Sequence, residues 1–93
     1  MAEQALTIRV AGRVQGVGFR WATKMVADRL QIRGDVANQA DGSVIIHAVG
    51  QRPAMIAFVQ EIKQSPTKFG QVSTYEAKDL DPVPAYDGFA VVG

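Results

Sequence analysis

Apolar residues recur with two different periods along the chain, and the two periods separate predicted strands from predicted helices. Leu6, Ile8 and Val10 occupy every second position, as in a strand with one buried face. A later segment has the helical spacing i, i+3, i+4 and i+7, occupied by Met55, Phe58, Val59 and Ile62. Glycine and proline residues mark the boundaries between the predicted strands and helices. The predicted strands are residues 6–10, 32–37, 44–49, 71–78 and 89–92, and the predicted helices are residues 19–30 and 53–64.

The order of these elements predicts the fold. Two strand–helix–strand units joined by a hairpin at Asp41-Gly42 form the split βαβ arrangement. We therefore expect an α+β, ferredoxin-like βαββαβ sandwich in which an antiparallel sheet carries two helices on one face. Ninety-three residues suffice for one core and not for two, so we expect a single domain over residues 1–93.

The composition and charge of the chain exclude several classes of function. The chain is 47% hydrophobic and 20% charged, as in a globular protein, and its formal net charge is +1. So small an excess argues against a dedicated nucleic-acid binder, which usually carries a basic stripe. The absence of cysteine excludes disulfides, thiolate metal sites and a cysteine nucleophile. No signal peptide or membrane span is evident, and we expect a cytoplasmic protein.

The first candidate site is the segment from Gly12 to Arg20, which leaves the first strand, passes closely spaced glycines and enters a helix. Glycines let successive backbone N–H groups converge on one anion, and a helix N-terminus adds unpaired donors. An arginine at that point can make a bidentate contact with two phosphate oxygens. The Walker and dinucleotide glycine patterns do not fit. The residues alone leave open a plain glycine turn with a solvated Arg20.

The second candidate is Asn38, near the end of a predicted strand and just before the Asp41-Gly42 turn. Asparagine often serves in turns, because it bonds its own backbone and tolerates left-handed conformations. A neutral amide at this place could instead orient a water molecule, and the pattern alone favours the turn.

The two segments together resemble the signatures of the acylphosphatase family. The first is a glycine-rich phosphate loop that ends in Phe19-Arg20. The second is Gly-x-Val-x-Asn-x-x-Asp-Gly-x-Val, matched by Gly34, Val36, Asn38, Asp41, Gly42 and Val44. The resemblance covers nearly the whole chain, including Gly88-Phe89.

The resemblance implies hydrolysis of an acyl phosphate to a carboxylate and inorganic phosphate, with Arg20 and Asn38 as catalytic residues. Arg20 would bind the phosphate together with the loop, and Asn38 would hold the attacking water. The phosphate-binding residues would be Gln15, Gly16, Val17, Gly18, Phe19 and Arg20. We expect no metal and no cofactor, since no cluster of ligating residues has metal-site spacing. The partners would be acyl phosphate and phosphate, without nucleic acid or membrane, and we expect a monomer.

Several residues depart from the family pattern or have a structural explanation. Relatives often carry an aromatic residue at the place of Asp35, a tryptophan near Ile62 and a basic C-terminal residue, and these departures bear on substrate preference. His47, the only histidine, is predicted to be a surface residue of a strand. The remaining large apolar side chains of note are predicted to be core residues: Trp21, Met25, Phe58 and Phe69.

Two alternative functions stay open. One is a non-catalytic module that binds phosphate or carbamoyl phosphate, the role that such domains play when fused to larger enzymes. The other is an RNA-binding domain of the same fold, although Gly18-Phe19 lies in a loop and the inner strands carry no aromatic pair.

Overall fold

The computed structural model describes residues 3–93 and has the predicted element order. The strands are β1 (Glu3–Arg13), β2 (Arg33–Asn38), β3 (Val44–Gln51), β4 (Gln71–Asp79) and β5 (Phe89–Val91), and the helices are α1 (Phe19–Leu30) and α2 (Arg52–Lys63). Every predicted element is confirmed. Within residues 3–93, neither helix is long and apolar enough to cross a membrane.

The five strands form one sheet in the order β4-β1-β3-β2-β5. The first four strands pair antiparallel, so the ferredoxin-like prediction is confirmed. The short closing strand β5 pairs parallel with β2, which makes the sheet mixed. This orientation follows from the long connection after β4, which carries the chain across to the opposite edge of the sheet.

The core lies between one face of the sheet and the two helices, which contact each other. Alternate strand residues point inward, and the helices contribute their apolar stripes. Phe58 of α2 is fully buried, and its ring centre lies 6.3 Å from that of Phe89 at a tilt of 58°. The other fully buried side chains of large volume include Ile8, Val10, Phe19, Ile32, Val36, Val44, Ile46, Met55 and Ile62.

Three of the four predicted core residues lie at the surface. Phe58 is buried as predicted, but Trp21 is 60% exposed, Met25 71% and Phe69 65%. Trp21 and Met25 lie one turn apart on the solvent side of α1, because the opposite side of the helix forms its buried face, with Phe19, Thr23, Val26 and Ala27. Phe69 lies in the connection between α2 and β4, outside any helix or strand.

His47 lies on the sheet face away from the helices and is about one-third exposed, which confirms the surface assignment. Its Nδ1 is 2.7 Å from the carboxylate of Asp35 on the neighbouring strand. The polar side chain at position 35 therefore has a partner on the same sheet face.

The strand order brings three connections together at one end of the sheet. The end of β1 pairs with the start of β3 through Val10 and Val44, and with the start of β4 through Arg13 and Gln71. The loop after β1, the turn before β3 and the connection before β4 are consequently neighbours. A register shift between Ala11 and Gly12 bulges β1 just before this loop.

Gly34 permits the close pairing of β2 and β3. Its φ is +145°, and a Cβ at this position would lie 1.7 Å from the carbonyl oxygen of His47. Gly34→Ala should therefore lower the free energy of unfolding by about 3 kcal/mol or more, since backbone has to shift. Gly88→Ala is the control, because nothing lies within 4 Å of its added Cβ. Urea denaturation of both variants measures this, and equal effects would contradict the packing described.

Candidate active site

The loop between β1 and α1 alternates in backbone handedness. Gly16 and Gly18 have φ of 74° and 78°, whereas Gln15 and Val17 do not have positive φ. Alternation of this kind turns successive N–H groups toward one side and forms an anion-binding concavity. A side chain added at either glycine would meet no atom within 4 Å, so the space around both α-carbons is open.

The backbone N–H groups of this loop have no acceptor in the part of the chain that the structure describes. None from Gln15 to Phe19 donates a hydrogen bond within residues 3–93. The first helical bond of α1 runs from Ala22 N–H to Gly18 C=O at 3.0 Å. No side chain caps α1, and its first turn contains no acidic residue. The positive end of the α1 dipole therefore lies beside the free N–H groups of the loop, and both favour an anion.

The side chains of the loop mostly turn away from this concavity. Val14 and Phe19 are buried in the core, and Val17 packs against it. The loop is thus anchored by its apolar side chains and offers its backbone to a ligand. Of the predicted phosphate-binding residues, Gly16, Val17, Gly18 and Phe19 can contribute only main-chain groups.

Two arginines without carboxylate partners border the loop. Arg20 lies in the first turn of α1 and is half-buried, and Arg13 ends β1. Neither forms an ion pair within residues 3–93, whereas three other arginines do: Arg9, Arg29 and Arg33. The two residues on either side of the loop therefore bring positive charges that no carboxylate of the described chain compensates, which favours an anion near the loop.

Asn38 ends β2 and stands at the base of the β2–β3 turn. Its N–H donates to the backbone oxygen of Gly93 at 3.1 Å, which ties β2 to the chain after β5. Asn38 is half-buried, but its Oδ1 is buried and has no partner among the described residues. Because amide oxygen and nitrogen exchange by a half-turn, the outward end of this side chain can present either atom to a water molecule.

Asp41 stabilises the turn that follows Asn38. Its Oδ1 accepts hydrogen bonds from the Ser43 N–H at 2.9 Å and the Ser43 hydroxyl at 2.6 Å. Its other oxygen lies 3.3 Å from the guanidinium of Arg9. The Ser43 bonds, and then Arg9, lower the pKa of Asp41 to about 2. Asp41, which the sequence pattern placed in the turn, thus caps the β2–β3 turn with an ionised carboxylate.

Gln15 joins the loop to this turn. Its Nε2 donates to the carbonyl oxygens of Gln39 and Ser43, each at 2.9 Å. The sequence predicted a phosphate-binding role for this residue, but its side chain faces the turn, so its backbone N–H is what remains for an anion. No sequence signal reveals this contact, since both acceptors are main-chain groups brought close by strand pairing.

The connection before β4 also contacts the loop. The Thr67 hydroxyl donates to the carbonyl oxygen of Val17 at 3.4 Å. Gly70 lies so close to β1 that an added Cβ would be 3.0 Å from the Arg13 oxygen. The sequence predicted no part in the site for residues 67–70, because their contacts with the loop depend on the β1–β4 register.

The surface depression at the opposite end of the sheet has an acidic lining. It holds about 440 Å³ and is lined in part by Glu3, Asp28 and Asp87, with Arg33 paired to Glu3. Carboxylates in that lining disfavour an anion, so the loop around Gly16 with its free N–H donors is the better place for one. Within residues 3–93, no three His, Asp or Glu side chains come together as a metal site would require.

Comparison with known proteins identifies the family. The acylphosphatase family model matches residues 6–91. An acylphosphatase of Lacticaseibacillus paracasei is 50% identical over 93 residues, which is 100% of both chains. The chain belongs to the acylphosphatase family. Hydrolysis of acyl phosphates is the family's function, which makes this protein a hydrolase of acid anhydrides.

Solved structures agree with the assignment. An acylphosphatase from Bacillus subtilis superposes with a TM-score of 0.92 at 34% identity, covering 99% of this chain and 100% of that chain. Full-length HypF in its phosphate- and nucleotide-bound form matches with a TM-score of 0.86 at 29% identity. That match covers 99% of this chain but 12% of HypF, so the acylphosphatase fold also occurs within a larger protein.

The cap formed by Asp41 predicts a pH dependence. Because its folded-state pKa of about 2 lies below the ordinary 3.8, ionised Asp41 stabilises the fold above pH 3.8. That contribution disappears as the pH falls through about 2. An NMR titration of the carboxyl carbon should show this midpoint, and Ser43→Ala should raise it. A wild-type midpoint near 3.8 would show that the cap is not formed.

Proposed function

We propose that the N–H groups of Gln15 to Phe19 and the guanidinium of Arg20 hold the phosphoryl group of an acyl phosphate, and that Asn38 positions the attacking water. The observation that carries this proposal is the set of free N–H donors in a left-handed glycine loop, bordered by an unpaired arginine. Such a set has the charge and the hydrogen-bonding capacity for phosphate oxygens.

The reaction is a displacement at phosphorus. The water oxygen forms a bond to phosphorus while the bond from phosphorus to the acyl oxygen breaks, and the carboxylate leaves with the electron pair. A proton of the water passes to a phosphate oxygen. Since a carboxylate is a good leaving group, no general acid is needed, and the protein chiefly positions the reactants and stabilises charge.

Arg20 has the geometry for this task because a guanidinium can contact two phosphate oxygens at once. A lysine would supply a point charge only. The N–H groups of the loop contribute without moving, since the buried side chains of Val14 and Phe19 fix the backbone on either side. No metal or cofactor is assigned a part in the proposal.

The fold holds Asn38 at a fixed position relative to the phosphate loop. The two Gln15 bonds join the turn after Asn38 to the phosphate loop, so water and phosphoryl group are held at a fixed separation. Fixed separation of reactants is a major source of rate acceleration. Gln15 is accordingly a positioning residue.

We further propose a cytoplasmic monomer that binds no nucleic acid. None of the three inner strands, β1, β3 and β2, carries the aromatic side chains that an RNA-binding sheet of this type uses. The observation behind the non-catalytic alternative is that a domain of this fold also belongs to a much longer chain, HypF. Turnover of an acyl phosphate by the isolated protein separates that alternative from the enzyme.

Arg20 and Asn38 should separate phosphate binding from turnover. Arg20→Ala should abolish inhibition by inorganic phosphate together with turnover, and Arg20→Lys should restore little. Asn38→Ala should lower turnover by about 10²–10³, by analogy with loss of one oxyanion donor, while phosphate still inhibits at the wild-type concentration. The assay is phosphate release from benzoyl phosphate, with and without a chelator. The chelator should leave the wild-type rate unchanged.

Circular dichroism serves as the folding control for both variants, since neither side chain belongs to the core. Full turnover in Asn38→Ala would leave Asn38 as a turn residue only. Normal phosphate inhibition in Arg20→Ala would contradict the assignment of the binding site.

A further inference from the structure

The turn Thr67–Gly70, which we call the rim turn, contacts the chain at two places, within the phosphate loop (Gln15–Phe19) and in the strand end before it. Within the loop, the Thr67 hydroxyl donates to the carbonyl oxygen of Val17. At the strand end, Gly70 lies close enough to β1 that an added Cβ would be 3.0 Å from the Arg13 carbonyl oxygen. Phe69 lies between these two attachments and is therefore held at the edge of the loop.

Hydrogen bonds within the rim turn fix the backbone of Phe69. Its N–H donates to the Thr67 hydroxyl oxygen at 3.3 Å, and the Gly70 N–H donates to the Thr67 carbonyl at 3.2 Å. Ser65 Oγ donates to that same carbonyl at 2.7 Å and accepts from the Thr67 N–H at 3.3 Å. The ring thus projects from a rigid support, and a ligand pays little entropy to use it.

The Phe69 ring is available for contact. It is 65% exposed and belongs to no core cluster. A single exposed apolar residue is ordinary on a protein surface, so its exposure alone indicates nothing. The contacts on both sides of it, with the phosphate loop and with the strand end before the loop, are what make this ring informative. Lys68 Nζ lies 5.4 Å from the ring centre, and residues 65–70 contain no acidic side chain.

We propose that Phe69 is the contact for the acyl group of the substrate, and that it favours acyl phosphates with an aromatic or similarly large apolar acyl group. The inference rests on the proposed function: water held at Asn38 attacks from the β3 side of β1, and in-line displacement then directs the acyl group to the opposite side, where the rim turn precedes β4. An aromatic acyl group can stack on or against the edge of the Phe69 ring, whereas an acetyl group is too small to cover it. Lys68 attracts the anionic substrate whatever its acyl group.

The test compares kcat/KM for benzoyl phosphate and acetyl phosphate. Phe69→Ala should lower kcat/KM for benzoyl phosphate about threefold to tenfold, the range expected for one aromatic contact, and do so through KM. The value for acetyl phosphate and the inhibition constant of inorganic phosphate should stay unchanged. Phe69→Tyr should retain the preference because the ring is kept.

Two further variants separate ring contact from other effects. Ile56→Ala is the matched control, since this side chain is also exposed (53%) but lies in the first half of α2, away from the loop. It should change neither substrate. Lys68→Gln should lower kcat/KM for both substrates equally, and added salt should reduce that difference.

Equal losses for both substrates in Phe69→Ala would show that the ring only supports the loop, and no loss would show that it does not touch the acyl group; either overturns the proposal. Calorimetry with phenylphosphonate and methylphosphonate gives a readout without turnover. Wild type should prefer phenylphosphonate, and Phe69→Ala should lose that preference. Absence of turnover with this binding preference intact would contradict the proposed hydrolysis and leave the ring contact standing.

Discussion

Backbone N–H groups require acceptors, and those of Gln15 to Phe19 have none among residues 3–93. The left-handed conformation of Gly16 and Gly18 turns these donors toward one side, and the buried Val14 and Phe19 hold them there. Arg13 and Arg20 add positive charge without a carboxylate to neutralise it. The phosphoryl group that we propose as the ligand would supply the missing acceptors and the negative charge together, so the proposed site is complementary to that ligand before it binds.

Pairing of the strands assembles the rest of the site around this loop. Because β1 lies between β3 and β4, its C-terminal end adjoins both the β2–β3 turn and the rim turn. Gln15 then joins loop and turn by two hydrogen bonds, and Thr67 joins loop and rim turn by one. Three segments far apart in sequence thereby meet at one loop, and we propose that they supply the groups that bind the phosphoryl group, position the water and contact the acyl group.

The sequence predicted the element order, the hairpin at Asp41-Gly42 and the glycine-rich loop between β1 and α1, because these depend on local periods and local backbone chemistry. The parallel pairing of β5 depends on a long connection whose path no short-range pattern specifies. The role of the Gln15 side chain likewise could not be predicted, since its acceptors are carbonyl groups of another strand connection. Phe69 was wrongly assigned to the core, because large apolar residues are usually buried and its connection has no period.

The central claim is that backbone donors of one loop bind the phosphoryl group, and an amide NMR titration with inorganic phosphate tests it most directly. The N–H signals of Gln15 to Phe19 and the Arg20 side chain should shift together and saturate with one dissociation constant. The N-terminus of α2 is an internal control, because it has free helical donors but no left-handed glycine loop before it. Its Arg52 and Ala54 signals should stay in place. Equal shifts at both helix N-termini, or no saturable shift from Gln15 to Phe19, would contradict the account.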